Sequence, residues 1–172
     1  LEQHRFDARW IAFIDLDEFI VPVQDATIPD FLKRFEAFPA VEINWLVYGS
    51  GGNKEKSDED VMKRFRFHSL PDHYLNRHVK SIVNPRRVFT MIGCHEVARI
   101  NGKAADSHGN IIKNNFRERT PQQDVIRINH YAVRSLEEFR EKQLRGRASG
   151  TKTSVPMDYF NQYDLNDIEE KQ

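Results

Sequence analysis

Trp10-Ile11-Ala12-Phe13-Ile14-Asp15-Leu16-Asp17-Glu18-Phe19 is an apolar run of strand composition that ends in the carboxylates of Asp15, Asp17 and Glu18. A run this apolar suits a central strand covered on both faces, which needs neighbouring strands and helices to cover it. The expected fold class is therefore α/β. Along a strand Asp15 and Asp17 project to one side and Glu18 to the other. Ligands of open α/β sheets bind beyond the carboxyl ends of the strands, and hard oxygen donors there suit Mg²⁺ or Mn²⁺. An ion held this way could bridge a nucleoside diphosphate. The competing account is a solvated strand end whose carboxylates face only water. Residues 1–9 are mostly polar and give the run little introduction, so Leu1 is expected to be a cut inside a longer protein.

Working outward, Glu18 to Val23 reads as a short extension into Pro22, and Thr27 with Asp30 resembles a capping box for a helix carrying Phe31, Leu32 and Phe35. That helix should stop before Pro39. Val41 to Tyr48 reads as a second strand, running into the loop Gly49-Ser50-Gly51-Gly52-Asn53, which is expected to be mobile. Ser57 to Phe67 can form a helix with Val61, Met62 and Phe65 on one face. His78 to Val83 and Arg87 to Ile100 read as short strands with breaks at Pro85 and Gly93. Val125 to Val133 is a further strand, and Ser135 with Glu138 forms a capping box for the last helix. Residues 151–172 read as an irregular tail. Strands and helices interleave, again as an α/β sheet does.

The 172 residues are 39% apolar and 30% charged, which suits one compact domain spanning 1–172. Lys and Arg number 26, as do Asp and Glu, so no global field draws the chain to nucleic acid or anionic lipid. The single cysteine, Cys94, rules out an internal disulfide and a thiolate metal cluster. No apolar stretch is long enough for a transmembrane segment. One cysteine and no leader suit a bacterial cytoplasm, with peripheral membrane association allowed; a Golgi lumen is the alternative for a eukaryotic fragment.

Three families end a strand in such an acidic motif. A haloacid dehalogenase-like phosphatase would use Asp15 as nucleophile and Asp17 as acid, but Glu18 and Phe19 depart from the small residue and Thr or Val that usually follow. A Walker B strand needs a Gly-x-x-x-x-Gly-Lys-Ser/Thr loop, which this chain lacks. The third is the Asp-x-Asp of a nucleotide-sugar glycosyltransferase.

Trp10 to Pro22 is followed in order by Asn44-Trp45-Leu46-Val47-Tyr48-Gly49-Ser50, Lys80-Ser81-Ile82-Val83-Asn84-Pro85, Gly93-Cys94-His95-Glu96 and Asn129-His130-Tyr131-Ala132-Val133-Arg134-Ser135. The last is followed by Glu137 to Lys142 and by Arg145-Gly146. This series, over roughly residues 10 to 147, resembles glycosyltransferase family 92 and related family 2-like bacterial glycosyltransferases. The resemblance implies a GT-A-like mixed sheet flanked by helices, lacking here the N-terminal nucleotide-binding βαβ half. It implies a nucleotide-sugar donor, UDP foremost, a Mn²⁺ or Mg²⁺ cofactor, a glycan or glycoconjugate acceptor, and inversion at the anomeric carbon.

By that resemblance Asp15 lies nearer the donor ribose and Asp17 is the direct metal ligand, with His130 as third ligand beside Asp15 and Asp17. A lone strand histidine is otherwise a core residue. An inverting transferase needs a base for the acceptor hydroxyl, and Glu96, paired with His95, is the candidate. Neighbours on a strand face opposite ways, so only one of the two is expected to point into the site. Trp45 and Tyr48 offer aromatic faces for an acceptor sugar, with strand packing as the alternative, and Ser50 and Gly51 would form a flexible acceptor-side loop. Lys142 and Arg145 are candidates to cover the donor diphosphate, although cations at a helix C-terminus are expected in any case. Lys80, Arg134 and Arg147 add positive charge. A non-catalytic carbohydrate- or protein-binding module on the same framework is the rival of a different class.

Overall fold

The computed structural model describes residues 5–93, 95–146 and 154–171; Cys94 and Arg147 lie outside them. The chain divides into two compact units, one built from residues up to Leu46 with Pro71–Asn129, the other from Val47–Leu70 and residues from His130 onward.

A five-stranded sheet in the order β1-β5-β3-β8-β2 belongs to the first unit except for Val47 and His130, the last residues of two of its strands. Its strands are β1 (Ile11–Ala12), β2 (Glu18–Pro22), β3 (Ala40–Val47), β5 (Val79–Val83) and β8 (Ile126–His130). Every residue of β3 is buried, so the strand covered on both faces is β3 and not the run at Trp10. β1 is only two residues long and stands at the end of the strand order, antiparallel to β5. Its apolar residues alternate: Ile11 and Phe13 pack on the cluster of Ala40, Val83, Val88, Val97 and Ala104, whereas Ile14 is 43% exposed. One-sided packing of this kind is what an edge strand allows.

β3 and β5 pair antiparallel with Ile43 opposite Lys80 and Glu42 opposite Ser81. Polar residues inside β3 are satisfied by chain that is distant in sequence. The Asn44 amide donates to the carbonyls of Asn76 and Arg77 at 3.1 and 3.2 Å, and Glu42 pairs with Arg119. Helix α1 (Ile28–Leu32) starts where the sequence indicates, with Thr27 Oγ1 accepting from the Asp30 amide at 3.2 Å, and continues as a 3₁₀ turn over Lys33–Phe35. Phe31, Leu32 and Phe35 are its buried side. β6 (Val88–Ile92) and β7 (Glu96–Arg99) form an antiparallel hairpin across Gly93.

In the second unit the helix expected over 57–67 shrinks to α2 (Val61–Arg64). Asp60 caps it, but the backbone turns extended at Phe65 (φ −105°, ψ 96°) so that Phe67–His68 can form β4. α3 (Leu136–Arg145) carries the full predicted capping box between Ser135 and Glu138 and ends at Gly146 with φ +79°. The tail is not irregular. It forms α4 (Met157–Tyr163) and β9 (Ile168–Glu169), and β9 pairs with β4. Phe139, Val155 and Phe160 pack with Ala132 and Val133 as the core of this unit. Among the described residues no helix is long and apolar enough to cross a membrane.

Candidate active site

The acidic motif is a turn and not a strand end. The Glu18 amide donates to the Asp15 carbonyl at 3.1 Å, and the Asp15 amide donates back to Glu18 Oε2 at 2.9 Å, closing a four-residue loop whose tip, Leu16, is 99% exposed. Period-two alternation therefore does not decide where the carboxylates point. Asp15 faces solvent, Asp17 is half-buried and Glu18 turns into the protein. There the buried Lys80 ammonium meets them, 2.8 Å from Asp15 Oδ2 and 3.5 Å from Glu18 Oε1. Burial pushes the Glu18 carboxyl from its ordinary 4.5 up to about 7, against the pull of the Asp15 amide and the Lys80 charge.

Because Lys80 stands opposite Ile43, its side chain shares a face of the sheet with Trp45, two residues further along β3. On Trp45 the His78 ring stacks at 4.8 Å, and the His95 ring meets its edge at 5.6 Å. Phe116 closes the group at 5.3 Å from each imidazole. Nδ1 of His78 lies 2.9 Å from the Leu75 carbonyl and Nδ1 of His95 lies 2.8 Å from the Val79 carbonyl. A carbonyl only accepts, so both Nδ1 atoms carry the hydrogen and both Nε2 atoms keep a lone pair. Burial lowers both imidazole pKa values, so the rings are neutral at pH 7. His95 also feels the charges of Lys80 and Asp15.

Glu42 lies on the other face of the sheet from Lys80 and Trp45. Glu42, opposite Ser81, pairs there with Arg119, and the Glu96 charge helps burial raise the Glu42 pKa. Of the two neighbours, His95 is thus the one beside Asp15 and Lys80. Trp45 is 6% exposed with His78 stacked upon it, and serves as the floor of the imidazole cluster.

The remaining expected site residues lie in the second unit. Tyr48 is 1% exposed, packed against His68 and Tyr131, and its hydroxyl donates to the Glu170 carboxylate. The loop at Ser50 and Gly51 is pinned: the Ser50 amide donates to Asp164 Oδ1 at 2.6 Å, the Gly51 amide to Asn166 Oδ1 at 2.7 Å and the Gly52 amide to Ser50 Oγ at 3.0 Å. The mobility expected of it is offset by the tail that wraps it. Lys142 Nζ donates to the Ala132 carbonyl at 2.8 Å, and Arg145 is exposed in the last turn of α3. His130 is buried at the end of β8, its ring 6.0 Å from that of Tyr163.

The sequence profile of glycosyltransferase family 92 matches residues 1–171. The chain belongs to glycosyltransferase family 92. No curated protein sequence matches it closely enough to name a relative. Membership makes this family 92 domain a glycosyltransferase by kinship, with a sugar donor and an acceptor, and sets aside the dehalogenase-like reading.

Asp15 and Asp17 are in the first unit and His130 in the second, and among the described residues no three His, Cys, Asp or Glu side chains are grouped to hold an ion. Asp15 and Asp17 still fit a divalent ion by themselves: Lys80 takes one Asp15 oxygen, and the side chain is 63% exposed. Mg²⁺ is commonly held by one or two carboxylates, with water and substrate phosphate in the other positions. Sequence reasoning missed the inward role of Glu18, the buried placement of Lys80 and the partnership of His78 with His95. Lys80 alone left a signal, as a cation inside an otherwise apolar strand.

Proposed function

We propose that this family 92 domain transfers a sugar from a nucleoside diphosphate, UDP foremost, to a hydroxyl of a glycan or glycoconjugate, with inversion, on the sheet face that carries Asp15, Lys80 and His95. The observation that supports the reading most directly is the meeting of that acidic turn, a buried ammonium at 2.8 Å and a neutral imidazole on one face of one sheet. Asp15 and Asp17 would hold Mn²⁺ or Mg²⁺, which supplies charge neutralisation for the departing diphosphate.

The chain's own groups take the remaining parts. Lys80 anchors Asp15, fixing one carboxylate oxygen and leaving the other for donor or ion. His95 has its Nδ1 hydrogen committed to Val79, so Nε2 is the atom that takes the acceptor proton. As that O–H bond breaks, the oxygen attacks the anomeric carbon from the side opposite the diphosphate, which leaves with the electrons of the old C–O bond. This assigns the base to His95 in place of Glu96, whose carboxylate interacts with Glu42 on the opposite face.

Calorimetric titration of UDP with and without Mn²⁺, into wild type and Asp17→Asn, tests the donor site. Metal-dependent UDP binding that weakens at least tenfold in the variant is the expected result. A folded wild-type protein that binds no UDP in the presence of Mn²⁺ would overturn the reading.

A further inference from the structure

The Lys80 side chain is 3% exposed, yet the Asp15 side chain that its Nζ meets at 2.8 Å is 63% exposed. A buried lysine ordinarily has a buried partner, because desolvation of the ammonium is repaid only at short range in low dielectric. Glu18, the buried carboxylate of the turn, lies further off, at 3.5 Å against 2.8 Å. The ammonium thus lies in direct contact with a carboxylate at the solvent-facing end of the turn. Its Nζ sits against the same carboxylate that is proposed to hold a metal.

We propose that Lys80 is a resident counter-cation that sets which cation the Asp15–Asp17 turn accepts, disfavouring a free divalent ion and favouring one that arrives with its nucleoside diphosphate. The proposal rests on the reading of Asp15 and Asp17 as the metal-holding pair. The sign of the Coulomb interaction carries it. A bare Mn²⁺ is repelled by the ammonium and finds one carboxylate oxygen already taken. The complex of Mn²⁺ with UDP is a net anion, so the same ammonium attracts it and can reach its phosphate oxygens. One positive charge thus works in opposite directions on the two ligands. The lysine needs no movement to do so, because β5, paired with β1 on one side and β3 on the other, holds its backbone in place. This makes Lys80 a specificity-determining and positioning residue; it is not a proton carrier.

The test is titration of Mn²⁺ alone, followed by Mn²⁺ with UDP, into the wild-type chain, Lys80→Gln and Lys80→Arg, each checked for folding by thermal melting. With the ammonium gone, Lys80→Gln should bind Mn²⁺ alone about tenfold more tightly than wild type, while its affinity for UDP in saturating Mn²⁺ falls. Lys80→Arg, which keeps the charge, should follow wild type on both measures. If the Gln variant does not fold, Lys80→Met, with an apolar stem suited to the buried path, takes its place. An unchanged or weaker affinity for Mn²⁺ alone in the neutral variant overturns the assignment, even when UDP binding is intact. Failure of the wild type to bind UDP with Mn²⁺ marks the failure of the donor-site reading, and the role of Lys80 falls with it.

Discussion

Glu18 is a carboxyl group held at a pKa of about 7 by burial, which has a consequence for the metal-free protein. Its folded pKa is above the unfolded value of 4.5, so between these limits the folded state binds more protons than the unfolded one. The contribution to stability is complete below pH 4.5 and is lost as pH rises through about 7. The shift corresponds to about 3 kcal/mol, so stability of the metal-free chain should decline over this window, and Glu18→Gln should flatten the decline. Denaturant unfolding at pH 5 and pH 8 measures it; equal slopes for both proteins would show that Glu18 titrates normally. His95 gives the opposite sign. Burial keeps its pKa below 6.5, so the imidazole stays ready to accept a proton through neutral pH and transfer should fail only below that value. Replacing it, as His95→Gln, should lower turnover by about 10²-fold or more without weakening UDP binding, while Glu96→Gln leaves turnover within about threefold. A larger loss in the Glu96 variant would return the base to that residue.

Elements whose signals are local were legible, and those completed by distant chain were not. The N-cap at Thr27 and the capping box at Ser135 are written within four residues, and both helices begin where those residues stand. In α3 the Ser135 hydroxyl accepts from the Glu138 amide at 3.3 Å, while the Glu138 carboxylate also pairs with Arg64. Ser135→Ala should therefore cost about 1 kcal/mol or somewhat more, read as a fall in melting temperature. The tail was illegible because its order is non-local: the Asp167 amide donates to the His68 carbonyl and the Glu170 amide to the Arg66 carbonyl, at 3.0 and 2.8 Å. Residues spaced so far apart leave no periodicity to read. The same tail sets the environment of Gly49, where a Cβ would sit 2.4 Å from Asn166 Oδ1 and 2.5 Å from the Leu165 carbonyl. The backbone oxygen cannot yield as a side chain does, so Gly49→Ala should cost about 2 kcal/mol or more and expose residues 164–170 to protease. A variant as resistant as wild type would mean that the loop and tail separate at little cost.

At the scale of the whole molecule, the α/β class follows from composition and alternation, but the site is assembled by pairs such as Asp15 with Lys80 and Glu42 with Arg119, far apart in sequence. Sequence marked the acidic motif because three carboxylates after an apolar run are conspicuous in one dimension. It could not mark that His95 would be held beside Lys80, since that depends on the contact of its Nδ1 with the Val79 carbonyl, sixteen residues away. Charge behaves likewise. The 26 cationic and 26 anionic side chains balance over the chain, yet locally the three carboxylates of Asp15, Asp17 and Glu18 are gathered in one turn, where Lys80 pairs with Asp15 and Glu18. A polyanion needs many cations on one face to release its counterions, whereas a metal nucleotide needs only one cation and a pair of carboxylates. The chain should therefore bind heparin or duplex DNA weakly at low salt and not at all at about 0.15 M, while retaining Mn²⁺-dependent UDP binding there. Affinity measured against salt concentration separates the two. A logarithmic slope steeper than about −3 for DNA would reveal a basic face that the overall balance conceals.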